Sequence, residues 1–208
     1  MTNYPPLPKK KFSIVLADPP WEYHRKPYAI VDSRFTSVKG VTDCYSTLSL
    51  EQLKQLPIQP ICEIDCLLFL WVTSPKLKDG IELMESWGFS YVTIGFVWDK
   101  VRTHPGNYTL SVVELCLIGK KGKIPQPRGS RNERQLYSQL KAKHSKKPEE
   151  IRYRINRMFP RQSKIELFAR ETSPQWYSWG DEVLPSCDES YDSSNKVAKC
   201  QSYQSTLL

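Results

Sequence analysis

Apolar positions recur along the chain with two different periods, and together they divide it into short buried strands and amphipathic helices. Residues 12–17, Phe-Ser-Ile-Val-Leu-Ala, form a short, mostly apolar run bounded by proline, as expected of a central parallel strand. A mostly polar stretch from Glu22 to Asp43 follows, and so long a connection in a compact domain is usually a functional lid or unstructured. Leu50, Leu53 and Leu56 share one side of a helix, residues 66–72 read as a second buried strand, and Leu77, Ile81, Met84 and Trp87 repeat at helical spacing. Residues 92–98 and 112–118 supply two further strands. A helix starting at Pro148 has acids in its first turn and Ile151, Ile155, Met158 and Phe159 along one face. Residues 163–169 are the last clear strand. This alternation predicts a three-layer α/β domain over residues 12–182, behind an extension of residues 1–11. Residues 183–208 turn to Ser, Asp, Asn and Lys and read as a flexible tail.

Composition narrows the class. The 208 residues suffice for one domain with a full core. The six cysteines include no Cys-x-x-Cys pair and join no His or acidic set with zinc spacing, so no metal is expected and the thiols read as reduced, in a cytoplasmic protein. The start, Met1-Thr2-Asn3-Tyr4, is not a signal peptide, and no apolar run is long enough to span a membrane. A net charge of +8 favours a polyanionic partner. Between Lys120 and Lys147 the basic residues include Arg128, Arg131, Arg134, Lys141, Lys143 and Lys146, against the single acid Glu133. That stretch is expected to be a phosphate-binding flap over the site, with the loop around Arg102 and His104 as a second rim. His24, His104 and His144 are read as surface or phosphate-contacting groups.

The candidate chemistry sits directly behind the first strand, at Asp18-Pro19-Pro20-Trp21. Open α/β sheets place ligands at the carboxyl ends of their strands. An exocyclic amine on adenine is a poor nucleophile because its lone pair is delocalised into the ring, so its N–H groups must be held against acceptors. Asp18 can supply one acceptor, and the Pro19 carbonyl another, since proline fixes φ at about −65° and brings no competing N–H. Trp21 would stack on the base, a contact worth roughly 1–3 kcal/mol in single-strand recognition.

Other landmarks follow in order: Tyr45-Ser46-Thr47-Leu48-Ser49, Leu68-Phe69-Leu70-Trp71-Val72-Thr73, Trp87-Gly88-Phe89, Val97-Trp98, Glu114-Leu115-Cys116-Leu117, Lys147-Pro148-Glu149-Glu150 and Lys164-Ile165-Glu166-Leu167-Phe168-Ala169-Arg170. With Trp176, Gly180, Asp181 and Glu182 they make the chain resemble the seventy-kilodalton-subunit (MT-A70-like) family of N6-adenine and N6-adenosine methyltransferases, from about Phe12 to Glu182. The resemblance implies a Rossmann-like methyltransferase fold with a mostly parallel mixed central sheet, and S-adenosylmethionine as methyl donor. It implies donor contacts at Asp18, Lys147, Glu166, Phe168 and Arg170, and at Asp181 and Glu182, where an Asn-Gln pair is frequent in the family. After Arg170 the chain lacks two residues at which some relatives place a His-Asn pair. Longer N-terminal segments hold part of the donor adenine in other relatives, and here little precedes Phe12.

Tyr23, Tyr45, Trp71, Trp98 and Glu114 are the expected substrate contacts around the base; for Trp71 and Trp98, bracketing the donor and ordinary core packing are competing readings, and for Glu114, fixing a neighbouring loop. The expectation is direct methyl transfer to a flipped-out or unpaired adenine, with DNA favoured because the chain is a compact stand-alone unit. RNA methylation and a non-catalytic nucleic-acid-binding subunit are the alternatives, and family habit makes a homodimer or heterodimer plausible.

Overall fold

A computed structural model describes residues 4–23, 47–106, 108–140 and 146–183. Tyr45, Lys141, Lys143, His24, His144 and residues 184–208 of the expected C-terminal tail lie outside the described residues. The order is β1 (Phe12–Ala17), α1 (Leu50–Lys54), β2 (Cys62–Thr73), α2 (Leu77–Ser86), β3 (Ser90–Pro105), β4 (Leu110–Lys121), β5 (Leu136–Ser138), α3 (Glu149–Met158), β6 (Lys164–Leu167) and β7 (Tyr177–Trp179). These strands form one sheet in the order β5-β3-β4-β2-β1-β6-β7. Pairing is parallel for β1 with β2, β1 with β6, β3 with β5 and β6 with β7, and antiparallel where β4 lies between β2 and β3. The sheet is therefore mixed and mostly parallel, as the resemblance implied.

Period-two alternation sorts the strand side chains into two cores. Val15, Ala17, Leu68, Leu70, Val72, Leu117, Ile165 and Leu167 point to one face, where Leu53 of α1 and Leu83 and Met84 of α2 cover them. On the opposite face, Ile14, Leu16, Leu67, Phe69, Trp71, Phe96, Trp98 and Cys116 meet Ile151 and Ile155 of α3. Three layers result. Ser49 and Gln52 form a reciprocal capping box that starts α1, and Gly88, at φ +81, ends the α2 region in a conformation that glycine adopts without strain.

Two three-residue edge strands, β5 and β7, go beyond the expected set, and β3 runs seven residues past Trp98, to Pro105. Tyr4 and Pro5, ahead of Phe12, pack against the end of the sheet. Tyr4 stacks on Trp179 at 5.0 Å and meets Phe168 edge-on at 5.4 Å, and Trp179 Nε1 donates to the Pro5 carbonyl at 2.9 Å. Cys62, Cys66 and Cys116 are buried free thiols, and the described residues hold no cluster of His, Cys, Asp or Glu suited to a metal. None of their helices is long and apolar enough to cross a membrane.

Candidate active site

The same alternation that buries the α3 face aims a set of polar groups at the carboxyl ends of the strands. Asp18 continues Ile14 and Leu16 on β1, Lys100 continues Phe96 and Trp98 on β3, and Glu114 precedes Cys116 on β4. Register completes the assembly, because Glu114 lies opposite both Thr73 of β2 and Trp98 of β3. Lys147, just before α3, reaches into this group. Its Nζ donates to both Asp18 oxygens, at 2.8 and 2.7 Å, and lies 3.2 Å from Glu114 Oε2. Lys100 Nζ donates to Glu114 Oε1 at 3.3 Å. Asp18, Lys147, Glu114 and Lys100 thus form a charge-balanced chain of two acids and two bases.

Burial sets the electrostatics of this chain. The Asp18 side chain keeps 26% of its exposure, whereas those of Glu114 and Lys100 keep only 8% and 9%, so Asp18 is the member a ligand can reach. Burial pushes the Asp18 carboxyl above its ordinary range, Lys147 pulls it back, and Glu114 adds to the rise. Burial also opposes charge on Glu114, but Lys147 and Lys100 outweigh it and hold that carboxyl low. For Lys147 burial is again the adverse effect, and the attraction of Asp18 and Glu114 overcomes it, leaving the ammonium harder to deprotonate than a free lysine.

The proline corner is held by the backbone. Trp21 N donates to Pro19 O at 2.8 Å, Leu48 N donates to Pro20 O at 2.8 Å, and Glu22 N donates to Leu48 O at 3.2 Å. A carbonyl has two lone pairs, so Pro19 O can still accept from a ligand. Trp21 itself departs from the expected stacking role. Its ring is 6% exposed within the α1 and α2 core, and its Nε1 donates to Trp71 O at 3.1 Å. Buried and bonded in this way, Trp21 braces the corner. Trp71 and Trp98 are also walls of the core, 2% and 1% exposed and packed edge to face at 6.5 Å. Lys147 Nζ stands 5.7 Å over the Trp71 ring, and Trp98 Nε1 donates to Gln139 O at 2.9 Å. Tyr23 hydrogen-bonds Thr73 Oγ1 at 2.8 Å, beside the Glu114 register position.

A second group gathers at the neighbouring ends of β6 and β7. Asp18 N donates to Leu167 O at 3.5 Å, which sets the Asp18 corner against Phe168. Phe168 has φ +61, a strained conformation for a residue with a side chain, and such strain concentrates at functional sites. Arg170 lies 3.7 Å from Glu182, and Tyr4 is close enough to Asp181 for that carboxylate, after burial, to help raise its phenol. Glu166 points to the α3 side, where Arg152 Nη1 donates to it at 2.8 Å, and burial raises its carboxyl in spite of that arginine. Lys146 bridges Glu149 and Glu171 at 2.7 and 2.9 Å. A cavity of about 440 Å³ beside Lys147 is lined by Trp98, Tyr137, Gln139, Lys146 and Tyr153 among others.

The basic segment is not a flap over the site along its length. Lys120 and Lys121 pair with Leu67 and Cys66, toward the opposite edge of the sheet from Thr73 and Glu114. The N–H groups of Gly129 and Ser130 donate to Met158 O and Arg157 O, which fastens the middle of the segment to the far end of α3. Arg128 lies there too, its guanidinium 5.7 Å over the Phe159 ring and its Nε buried, at the Met158 end of α3. Glu133 is bound by Arg157, and the Arg134 carbonyl accepts from Arg154, while the side chains of Arg131 and Arg134 are exposed. Among its described residues, the segment borders the site from β5, at Tyr137, Gln139 and Lys146.

Against this geometry, comparison with known proteins is decisive. A family profile described as MT-A70 matches residues 12–182. The chain belongs to the MT-A70 family. It is 44% identical to the type II methyltransferase M.MunI of a Mycoplasma species over 189 residues, 86% of this chain and 81% of that protein. It is 32% identical to the human N(6)-adenosine-methyltransferase catalytic subunit METTL3 over 83% of this chain and 28% of the relative, and 30% identical to an MT-A70-like N(6)-adenosine-methyltransferase of Arabidopsis thaliana over 83% and 24%. The chain thus spans about a quarter of these eukaryotic relatives. With the tetrapeptide intact at the sheet's carboxyl edge, it is an adenine N6-methyltransferase that uses a methyl donor and a nucleic-acid substrate.

Lys100 and Arg152 went unnoticed in the sequence. Lys100 had a readable signal, since it continues the buried parity of Phe96 and Trp98; Arg152 had none, because an arginine on a helix face ordinarily points to water.

Proposed function

We propose that the chain transfers a methyl group from S-adenosylmethionine to the exocyclic amine of adenine in DNA, taking the base flipped out or unpaired. One observation carries this reading: an accessible carboxylate, Asp18, made more basic by burial and fixed by Lys147 at a backbone corner beside the strained Phe168.

The donor fits the residues present. Phe168, Arg170, Asp181 and Glu182 would hold it at the β6 and β7 ends, with the two acids suited to accept ribose hydroxyls. Tyr4 supplies an aromatic wall from the N-terminal side. When bound, S-adenosylmethionine supplies an electrophilic methyl group on a sulfonium. The protein's own work is positional. Asp18 and Pro19 O accept the two N–H groups of the amine and so orient its lone pair, and holding reacting atoms about 3–3.5 Å apart is the main source of acceleration. Lys147 keeps Asp18 in one orientation, and Glu114 with Lys100 keeps Lys147 there. The proton that the methylated nitrogen must lose passes to Asp18 or to water.

Greater likeness to the bacterial type II methyltransferase than to the adenosine methyltransferases favours DNA over RNA. A duplex target requires base flipping, because the amine is inaccessible within the stack. The test supplies labelled S-adenosylmethionine with matched single-stranded DNA, duplex DNA and RNA. Label in DNA, lost about a thousandfold in Asp18→Ala with the fold retained, is the expected result. Label in RNA alone, or full activity in Asp18→Ala, would overturn the proposal.

A further inference from the structure

Beyond the catalytic corner, the antiparallel pair β3–β4 outruns the sheet that flanks it. β2 accompanies β4 only to the Thr73–Glu114 pair, and β5 accompanies β3 only to the Asp99–Ser138 pair. Past that line, among the described residues, the two strands pair only with each other, through His104–Ser111 and Pro105–Leu110. From Glu114 to Leu110 this free ribbon rises about 13 Å. Between Asp99 and His104 the register shifts, so residues 100–103 bulge from β3, with Val101 at φ +66 and its N–H held by Asp99 Oδ1 at 2.8 Å.

The ribbon's surface is unusual for a projection into water. Arg102 and His104 are exposed, Val101 and Leu110 are 54% and 65% exposed, and Tyr108 in the turn is fully exposed. No carboxylate occurs from Lys100 to Val113. At its base stand Lys100 and Glu114, members of the chain that reaches Asp18. The base of the ribbon therefore adjoins the Asp18 corner.

We infer that the β3–β4 ribbon is the element that grips duplex DNA, lying in the major groove with Arg102 and His104 on phosphates or base edges and Tyr108 against the stack. This rests on the DNA reading above. The major groove, about 12 Å wide, admits a two-stranded ribbon, and a side chain pressed between base steps can unstack them, as minor-groove proteins do with apolar wedges. Such a device answers a question the chain otherwise leaves open: which part reads DNA when the described fold consists of the catalytic sheet and its covering helices.

The experiment compares the full-length wild type, Arg102→Ala/His104→Ala and Tyr108→Ala, using a random-sequence duplex oligonucleotide and S-adenosylmethionine as probes. Duplex affinity over a salt series, donor affinity by calorimetry, transfer to duplex and single-stranded DNA, and sedimentation are measured. The double variant is expected to bind duplex about tenfold or more weakly, with a salt slope reduced by about one for each phosphate that the protein no longer neutralises. Tyr108→Ala is expected to lose transfer to duplex more than to single strands. Donor affinity stays as in wild type. Unchanged duplex affinity in the double variant overturns the inference, as does a changed oligomeric state with duplex affinity per protomer intact, which would make the ribbon an interface between copies. Wild type that binds duplex through these residues but methylates none would sink the methylation reading and leave the ribbon standing.

Discussion

Replacing Lys147 by Met tests the charge-balanced chain at its centre. The variant removes the partner that both Asp18 oxygens share and leaves Glu114 with Lys100 alone. Two carboxylates then face each other in a low-dielectric pocket, and Asp18 takes up a proton. Breaking a fully buried pair costs about 3–5 kcal/mol. Lys147 and Asp18 retain 17% and 26% of their side-chain exposure, so water screens part of the loss and about 2–3 kcal/mol is the appropriate expectation. For a domain of this size each kcal/mol lowers Tm by about 2–4 °C, which predicts a fall of roughly 4–12 °C. Methyl transfer should fall by at least about a hundredfold, because Asp18 is then protonated and free to rotate. A second variant separates charge from packing: Lys147→Met with Glu114→Gln removes one charge of each sign and should recover much of the stability but none of the activity. Thermal melts and initial rates of label transfer measure the two effects. An unchanged Tm together with near wild-type transfer in Lys147→Met would refute the argument, and so would full recovery of activity in the double variant.

Further outcomes follow from the same geometry. Trp21→Phe keeps an aromatic ring but loses the bond to Trp71 O, so it should lower stability by about 1 kcal/mol with little change in KM for DNA; a large rise in KM would restore the stacking role. Arg128→Ala should lower Tm while leaving the salt dependence of DNA binding untouched, since its guanidinium packs on Phe159. Gly180→Ala should strongly destabilise the protein, because the new Cβ would collide with the Ala169 carbonyl, a backbone atom with little room to move. Lys147, its pKa raised by folding, adds stability that is fully present below about 10.5 and lost as pH rises through its folded value; alkaline unfolding should therefore occur at lower pH in a Glu114→Gln variant, by pH titration of circular dichroism.

What the sequence made legible was whatever depends on local pattern. The first strand, the tetrapeptide at its end and the apolar stripe of α3 are periodic or contiguous, and they stand where the pattern puts them. β5 and β7 escaped because a strand of three residues such as Leu136-Tyr137-Ser138 shows no period, and its existence depends on a neighbour, here residues 97–99 of β3. The basic segment misled for a related reason. Composition records charge but not anchorage, and the bonds from Gly129 and Ser130 to the last carbonyls of α3 bind it to a helix end that its own residues do not reveal.

Register explains the rest of the site and also its chemistry. A one-residue slip between β3 and β4 would turn Glu114 or Lys100 to the opposite face, so the buried pair they form ties the strand alignment to the catalytic corner. An ion pair that deep is weak evidence of stability for its own sake. Its value lies in what it holds: Lys100 neutralises Glu114, Glu114 steadies Lys147, and Lys147 opposes the rise that burial imposes on the half-buried Asp18 carboxyl. Under the proposed mechanism Asp18, the most open of the four, is the one that meets an amine hydrogen, and Lys147, Glu114 and Lys100 stand behind it, each less exposed than Asp18.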